Sequence, residues 1–219
     1  MKRRSHVVAT LAATLWAASA QGATLSFFCI TNNSPGSCAA GASQLSVDVD
    51  AYGSNQVLFT FNNAGPLASS ITDVYFDNGS LLGIAALIDA DDGLGGHAGV
   101  DFSPGAAPPN LPAGNTVTPP FQVTAGFLAG SDSPVSPRGV NPLEWLGVVF
   151  SLQGTQTYSD VLSELQSGEV RVGIHAQSFA GGYSESFVNY PLLVPVPGAI
   201  VLLMSGVFLL RGVQRLHIA

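Results

Sequence analysis

The chain of 219 residues has seven basic and fourteen acidic side chains, so charged residues make up 10% of it, against about 25% in an average soluble domain. Hydrophobic residues reach 47%, which excludes disorder driven by low hydrophobicity and high charge. Only Arg138 and Arg171 accompany the fourteen acids that lie between Asp48 and Glu185. This excess of negative charge excludes nucleic-acid binding, because phosphates are bound by basic surfaces.

The N-terminus has the pattern of a secretory signal peptide. A Lys-Arg-Arg run at 2–4 precedes an apolar stretch of about a dozen residues, and small residues follow it. Such a stretch is too short to cross a hydrocarbon core of roughly 30 Å as a helix. We therefore predict that signal peptidase removes residues 1–20 by cleavage after Ala20, with cleavage after Gly22 or Ala23 as the alternative.

The chain has two cysteines, Cys29 and Cys38, and both lie close to the predicted mature N-terminus. Export places them in an oxidising compartment, which favours a disulfide. Closing so short a loop would stabilise the fold by roughly 2 to 3 kcal/mol in the chain-entropy description. A metal site is the weaker alternative, because further cysteines and nearby histidines are lacking. The spacing also excludes a redox Cys-x-x-Cys motif.

Strand patterns dominate residues 21–190. Apolar and polar residues alternate over 45–49 and again over 57–61, with turn residues between them, which predicts a hairpin. Further strands are predicted at 24–28, 71–76, 82–88, 121–123, 145–152, 170–177 and 186–188. One helix is predicted between a Ser159 cap and Gly168. The predicted fold is mainly β: an antiparallel β-sandwich, jelly-roll-like, with one short helix.

Residues 89–142 are rich in glycine and proline and are predicted to be dominated by loops. This segment contains the densest group of acids, Asp89, Asp91 and Asp92, whose oxygens could bind calcium. It is not an EF-hand, because Leu94 occupies the position that requires glycine. A solvated acidic turn is the alternative interpretation of the same residues.

No catalytic signature emerges from the remaining polar residues. Glu144, beside Trp145, and Glu185 are the best candidates for a pair of glycosidase acids, but the favoured interpretation is a core tryptophan with surface glutamates. His175 is predicted to lie on the polar face of a surface strand. A Gly-x-Ser-x-Gly elbow that would supply a nucleophile for a Ser-His-Asp triad is missing. We therefore predict a protein that is not an enzyme and that needs no cofactor. Bound calcium is the alternative.

The C-terminus contains a second hydrophobic segment. No charged residue occurs between 192 and 210, residues 198–210 are all apolar or small, and Arg211 and Arg215 follow. This pattern predicts a transmembrane helix at 198–210 of marginal length. The basic residues after it favour retention of the tail on the cytoplasmic side, with the body exported.

The motif ahead of this segment, Val194-Pro195-Val196-Pro197-Gly198, together with the hydrophobic run and the arginine-bearing tail, resembles the PEP-CTERM sorting signal of Gram-negative bacteria. Val196 stands where the family's motif usually has glutamate. The resemblance implies that 191–219 is a sorting segment, processed by a membrane exosortase in species that make exopolysaccharide. The two prolines favour an extended backbone, which a processing enzyme can bind.

Together these patterns predict an exported cell-surface or extracellular-matrix protein that is not an enzyme. The membrane would hold it through its C-terminus until processing, and its partners would be signal peptidase, exosortase and exopolysaccharide. A calcium-assisted carbohydrate-binding module is the main alternative, and a secreted glycan hydrolase is a weaker one.

Overall fold

The computed structural model describes residues 22–77, 79–90 and 95–192. Within them, ten strands form one antiparallel sheet, which confirms the prediction of a mainly β fold. The strands are β1 (Ala23–Cys29), β2 (Leu45–Tyr52), β3 (Gln56–Asn63), β4 (Ser70–Phe76), β5 (Leu81–Ile88), β6 (Phe102–Pro104), β7 (Leu128–Ser131), β8 (Trp145–Leu152), β9 (Val172–Gln177) and β10 (Glu185–Asn189). The predicted signal peptide at 1–20 and the predicted membrane helix at 198–210 lie outside the described residues.

The sheet is nearly closed and barrel-like, with strand order β5-β8-β3-β2-β1-β10-β9-β4-β7-β6. Strand β1 joins its two halves, because residues 23–26 pair with β2 whereas 27–29 pair with β10. We call β5-β8-β3-β2 with the first part of β1 the first half, and the remaining strands the second half. The terminal strands β5 and β6 contact each other, so both halves surround a common interior.

The predicted hairpin is confirmed as β2 and β3. Val47 lies opposite Phe61 and Val49 opposite Phe59, so that all four side chains point into the same core. The ring of Phe76, from the second half of the sheet, lies 5.1 Å from that of Phe59, centroid to centroid. Alternation with a period of two therefore places one apolar face of each strand inside, as a pleated strand requires.

Three α-helices occur in the described residues, α1 (Pro35–Gln44), α2 (Val135–Arg138) and α3 (Tyr158–Ser167), besides a 3₁₀ turn at Gly114–Thr116. The prediction of one helix was therefore wrong. Sequence patterns did not reveal α1 because its many small residues give no apolar stripe. Its Gly41 lies against the Phe187 ring, where an added Cβ would come within 2.2 Å of that ring.

The predicted helix is α3, with its start displaced. Thr157 caps it in a capping box with Asp160, two residues before the predicted cap Ser159. Hydrogen bonds from the Thr157 hydroxyl and backbone hold the pKa of Asp160 below its usual value. At the other end Gly168 has φ 82°, the left-handed conformation predicted for this glycine.

The strand predicted at 121–123 was wrong. Phe121 lies in a loop that covers the outer face of the second half, where it packs with Tyr75, Leu111 and other apolar side chains. Gly173 of β9 leaves room for this loop, since a Cβ there would lie 2.7 Å from a methyl group of Leu111. The apolar triplet thus covers the sheet. Local pattern alone does not distinguish such a covering segment from a strand.

Candidate functional site

The outer face of the first half of the sheet carries two rows of polar side chains. Ser26 lies opposite Ser46, Ser46 opposite Asn62, and Asn62 opposite Trp145, so these four residues form one row across four strands. A second row runs beside it, in which Thr24 pairs with Asp48 and Asp48 pairs with Thr60. We call these residues the polar face: Thr24, Ser26, Ser46, Asp48, Thr60, Asn62 and Trp145.

Hydrogen bonds between strands hold part of the polar face in place. The carboxylate of Asp48 accepts from the Thr24 hydroxyl at 2.5 Å and from Asn62 Nδ2 at 2.9 Å. Asn62 Nδ2 also donates to the backbone oxygen of Thr60 at 3.1 Å. Among the described residues, the Ser26 and Ser46 hydroxyls have no side-chain hydrogen bond to the protein. The face therefore combines a fixed Thr-Asp-Asn ladder with hydroxyls that are free to bind a ligand.

An apolar strip borders the polar face on the side of β8. Leu58 and Ile88 lie over Gly147, because a Cβ added to this glycine would be 3.2 Å from Leu58 Cδ1 and 2.9 Å from Ile88 Cβ. The half-buried Trp145 lies on the same strand, two residues before Gly147. Within the part of the chain that the structure describes, its indole N–H makes no hydrogen bond. The surface therefore offers hydroxyl and amide groups beside apolar groups and one aromatic ring.

Hydrogen bonds to one buried carboxylate tie the loop of the predicted disulfide to the sheet. Cys29 and Cys38 are bonded, with 5.4 Å between their Cα atoms. Beside them the carboxylate of Glu185, which is fully buried, accepts from the Thr31 hydroxyl at 2.5 Å and from the backbone N–H groups of Asn33 at 2.9 Å and Ser34 at 2.6 Å. Glu185 therefore fixes the loop that leads into α1.

The two predicted glycosidase acids are not brought together. Glu144 precedes β8 and Glu185 lies on β10, and these strands are four positions apart in the sheet, which corresponds to about 19 Å along it. The Glu144 carboxylate accepts from the backbone N–H of Asn141 at 2.8 Å and from its Nδ2 at 3.0 Å. Both carboxylates thus stabilise local backbone, so neither is arranged with the other for glycoside cleavage.

A Ser-His-Asp grouping that sequence reasoning missed lies on the second half of the sheet. His175 Nδ1 lies 3.1 Å from Ser186 Oγ, and Asp73 is the strand partner of His175. Ser186 has no exposed surface, so a substrate cannot reach its hydroxyl. The Asp73 carboxylate accepts from Thr72 Oγ1 at 2.9 Å. Strand pairing brings these residues together, and because they are distant in sequence only the fold reveals the grouping.

Burial shifts the titration of this grouping. It raises the pKa of Asp73 from 3.8 to about 6, while the hydrogen bond from Thr72 opposes the shift. It lowers the pKa of His175, and the charge of Glu185 raises that pKa by a smaller amount. His175 is half-buried and lies on the face of β9 opposite the core residues Val172, Ile174 and Ala176, as the alternation predicted. Both pKa shifts follow from burial, so they are consistent with a structural role for this grouping.

The predicted calcium ligands lie only partly within the described residues. Asp91 and Asp92 fall outside them, whereas Asp89 is 2% exposed and accepts from the backbone N–H of Phe102 at 2.9 Å. Among the described residues, one group of His, Cys, Asp or Glu side chains is close enough to hold a metal ion. It consists of Glu185 and the two cysteines, whose sulfur atoms are already joined to each other.

The predicted sorting motif Val194, Pro195, Val196, Pro197 and Gly198 lies outside the described residues, as do Arg211 and Arg215. In the described part of the chain, no helix has both the length and the apolar character needed to span a membrane. Comparisons with protein families, with curated proteins and with solved structures find no match for this chain.

Proposed function

We propose that this protein is an exported cell-surface or extracellular-matrix protein, not an enzyme, which an exosortase-type system sorts through its C-terminus and which associates with exopolysaccharide. The disulfide between Cys29 and Cys38 carries the proposal. Structural disulfides persist in oxidising compartments outside the cytoplasm. The lysine- and arginine-led signal sequence at 2–20 offers the route to such a compartment.

The start of the sheet favours signal cleavage after Ala20. Strand β1 begins at Ala23, which pairs with Val49. Cleavage after Ala20 leaves this pair intact, whereas cleavage after Ala23 removes the first residue of the strand. Gly22 also lies close to Asp50, since a Cβ there would overlap the Asp50 carboxylate. Cleavage after Ala20 or after Gly22 therefore spares the strand, and only cleavage after Ala20 also keeps Gly22 beside Asp50.

The end of the sheet is equally compatible with C-terminal processing. The last strand ends at Asn189, and Leu192, 7% exposed, donates its backbone N–H to the Leu165 oxygen at 3.2 Å. The sorting motif begins at Val194. Cleavage at Pro195 would therefore remove none of the ten strands, and the released body would keep its core.

A jelly-roll-like sandwich is the finer description of the body that we propose. The two halves of the sheet share one core, in which rings from opposite halves touch: Phe76 lies 4.5 Å from Phe150 and 5.9 Å from Phe61, centroid to centroid. Two sheet halves that interdigitate their inner side chains are typical of a sandwich. Such a body can present one of its outer faces to a matrix.

The intact mass of the native protein tests the sorting proposal. The protein is recovered separately from membranes and medium, from cells with the exosortase and from cells in which it is deleted. We expect a species that begins near Gln21 and ends near Pro195 only where the enzyme is present. A variant with alanine at both Pro195 and Pro197 should keep its tail in either strain. Persistence of residues 198–219 in both strains of the wild type would refute the proposal.

A further inference from the structure

We propose that the polar face binds an extended, uncharged polysaccharide chain, with Trp145 as its aromatic anchor. The inference rests on the proposed function, because it assigns the association with exopolysaccharide to one surface. Its first support is accessibility. Thr24 and Ser26 are exposed and Ser46 and Asn62 half-buried, although all four lie on strands of a packed sheet.

The shape of the face suits a long chain better than a small molecule. The row from Ser26 through Ser46 and Asn62 to Trp145 crosses four adjacent strands, which corresponds to about 14 Å at the usual strand spacing. Small ligands are usually enclosed in concave pockets. An open row of this length instead contacts several consecutive units of a linear polymer.

The chemistry of the face is matched to a sugar. Sugar rings carry hydroxyl groups at their edges and C–H groups on their faces. The Ser26 and Ser46 hydroxyls can bond the edges, while the Trp145 ring and Leu58 can pack against the faces. An indole ring supplies a large apolar surface and a polar N–H together, as amphipathic ligands require.

Charge selects an uncharged polymer over an acidic one. Asp48 is the charged residue of the polar face, and Asp50 follows it at the next outward position of β2. The region from Asp48 to Glu185 has fourteen acids against two arginines. Both arginines are already paired, Arg171 with Asp77 at 2.5 Å and Arg138 with Asp101. A polyanion would therefore meet repulsion without a free cation among the described residues.

The hydrogen bonds of Asp48 prepare the face for binding. Because its carboxylate already holds Thr24 and Asn62 across three strands, these side chains need little further ordering when a ligand arrives. Pre-ordered groups lose less conformational entropy on association. Asp48 is thus a positioning residue, whereas Ser46 and Trp145 contact the polymer.

Affinity electrophoresis of the mature protein, purified from its native source, tests this inference. Gels contain hydroxyethyl cellulose or dextran as uncharged probes, or alginate as an acidic probe. We expect retardation by an uncharged probe and none by alginate. Trp145→Ala should weaken the retardation about tenfold, as loss of an anchoring aromatic contact implies. Ser46→Arg, which places a long side chain in the middle of the row, should abolish it.

Tyr183→Ala is the matched control, since Tyr183 is an exposed aromatic residue, 45% exposed, in the loop before β10. It should bind as the wild type does. Thermal unfolding of each variant establishes that it is folded. If Trp145→Ala does not fold, Ser46→Arg still tests the inference. Retardation by alginate alone, by no probe, or equally for wild type and Ser46→Arg would overturn the inference. A protein that is sorted but binds no probe would refute this inference alone, because the mass measurement tests sorting without any glycan.

Discussion

Glu185 offers the sharpest test of how the disulfide loop is held. Its carboxylate is fully buried and accepts three hydrogen bonds, from the Thr31 hydroxyl and from the backbone N–H groups of Asn33 and Ser34. Glu185→Gln keeps the size of the side chain but replaces one acceptor oxygen with an NH₂ donor. One of the three donors must then face another donor, and the other two lose a charged acceptor.

The magnitude follows from these contacts. A hydrogen bond to a charged group contributes about 1.5 to 3 kcal/mol, and leaving a buried donor unsatisfied costs about as much. The amide can turn so that its oxygen keeps the two bonds made to Oε2, which leaves the Ser34 N–H without an acceptor. We therefore expect Glu185→Gln to lower the free energy of unfolding by about 2 to 3 kcal/mol. Glu185→Ala should cost more, because it removes every acceptor.

Urea unfolding with the disulfide intact measures this difference. Glu144→Gln is the matched control, since the half-buried Glu144 also accepts from a backbone N–H but stays near the surface, at Asn141. Its cost should stay below about 1 kcal/mol, as is usual for partly solvated polar contacts. A loss below that level for Glu185→Gln, or equal losses for the two variants, would show that the Glu185 carboxylate does not hold the loop.

Three further predictions concern stability. Burial raises the pKa of Asp73 from 3.8 to about 6, so the folded state binds this proton more tightly than the unfolded state does. The contribution of Asp73 to stability should therefore fall by about 3 kcal/mol between about pH 4 and pH 6. Urea titrations at successive pH values should show this as a difference in slope between the wild type and Asp73→Asn. Replacing Cys29 and Cys38 with serine should cost about 3 kcal/mol in the same assay. Phe76→Ala, fully buried among three phenylalanine rings, should cost about 3 to 5 kcal/mol, and an unchanged midpoint would contradict this packing.

Local pattern was sufficient wherever one face of an element meets the core. The alternation at 45–49 and 57–61 predicted the β2–β3 hairpin, and the strand predicted at 145–152 is β8. In these segments the inward residues are uniformly apolar, whereas the outward ones are mostly polar or small. Period-two alternation then specifies both the element and its register.

Pattern failed where tertiary contacts determine the structure. Helix α1 (Pro35–Gln44) consists largely of small residues, and the ring of Phe187, distant in sequence, packs on its Gly41. The triplet at 121–123 looks like a strand but covers one, because Gly173 makes room for it. Neither contact can be derived from neighbouring residues alone.

For the candidate site too, local pattern predicted part of the structure and tertiary contacts determined the rest. The resemblance to a sorting signal implied an association with exopolysaccharide without locating it. The reason is that Ser26, Ser46, Asn62 and Trp145 come from four separate strands, and only the pairing of those strands aligns them. The spacing of these residues along the chain does not predict that they form a row. The signal that was present is weaker: each residue occupies the outward position of an alternating strand.

The covering of one sheet half explains why we propose the other as the binding surface. On the second half, the loop carrying Leu111 and Phe121 packs over Tyr75, and the Tyr75 hydroxyl donates to the Pro108 oxygen at 2.8 Å. The outer face of the second half is therefore covered by a second apolar layer. On the first half, the row from Ser26 to Asn62 carries hydroxyl and amide side chains that are exposed or half-buried, with the apolar strip of Leu58 and Ile88 beside it. A long polymer can therefore reach the first half without displacing any part of the described fold.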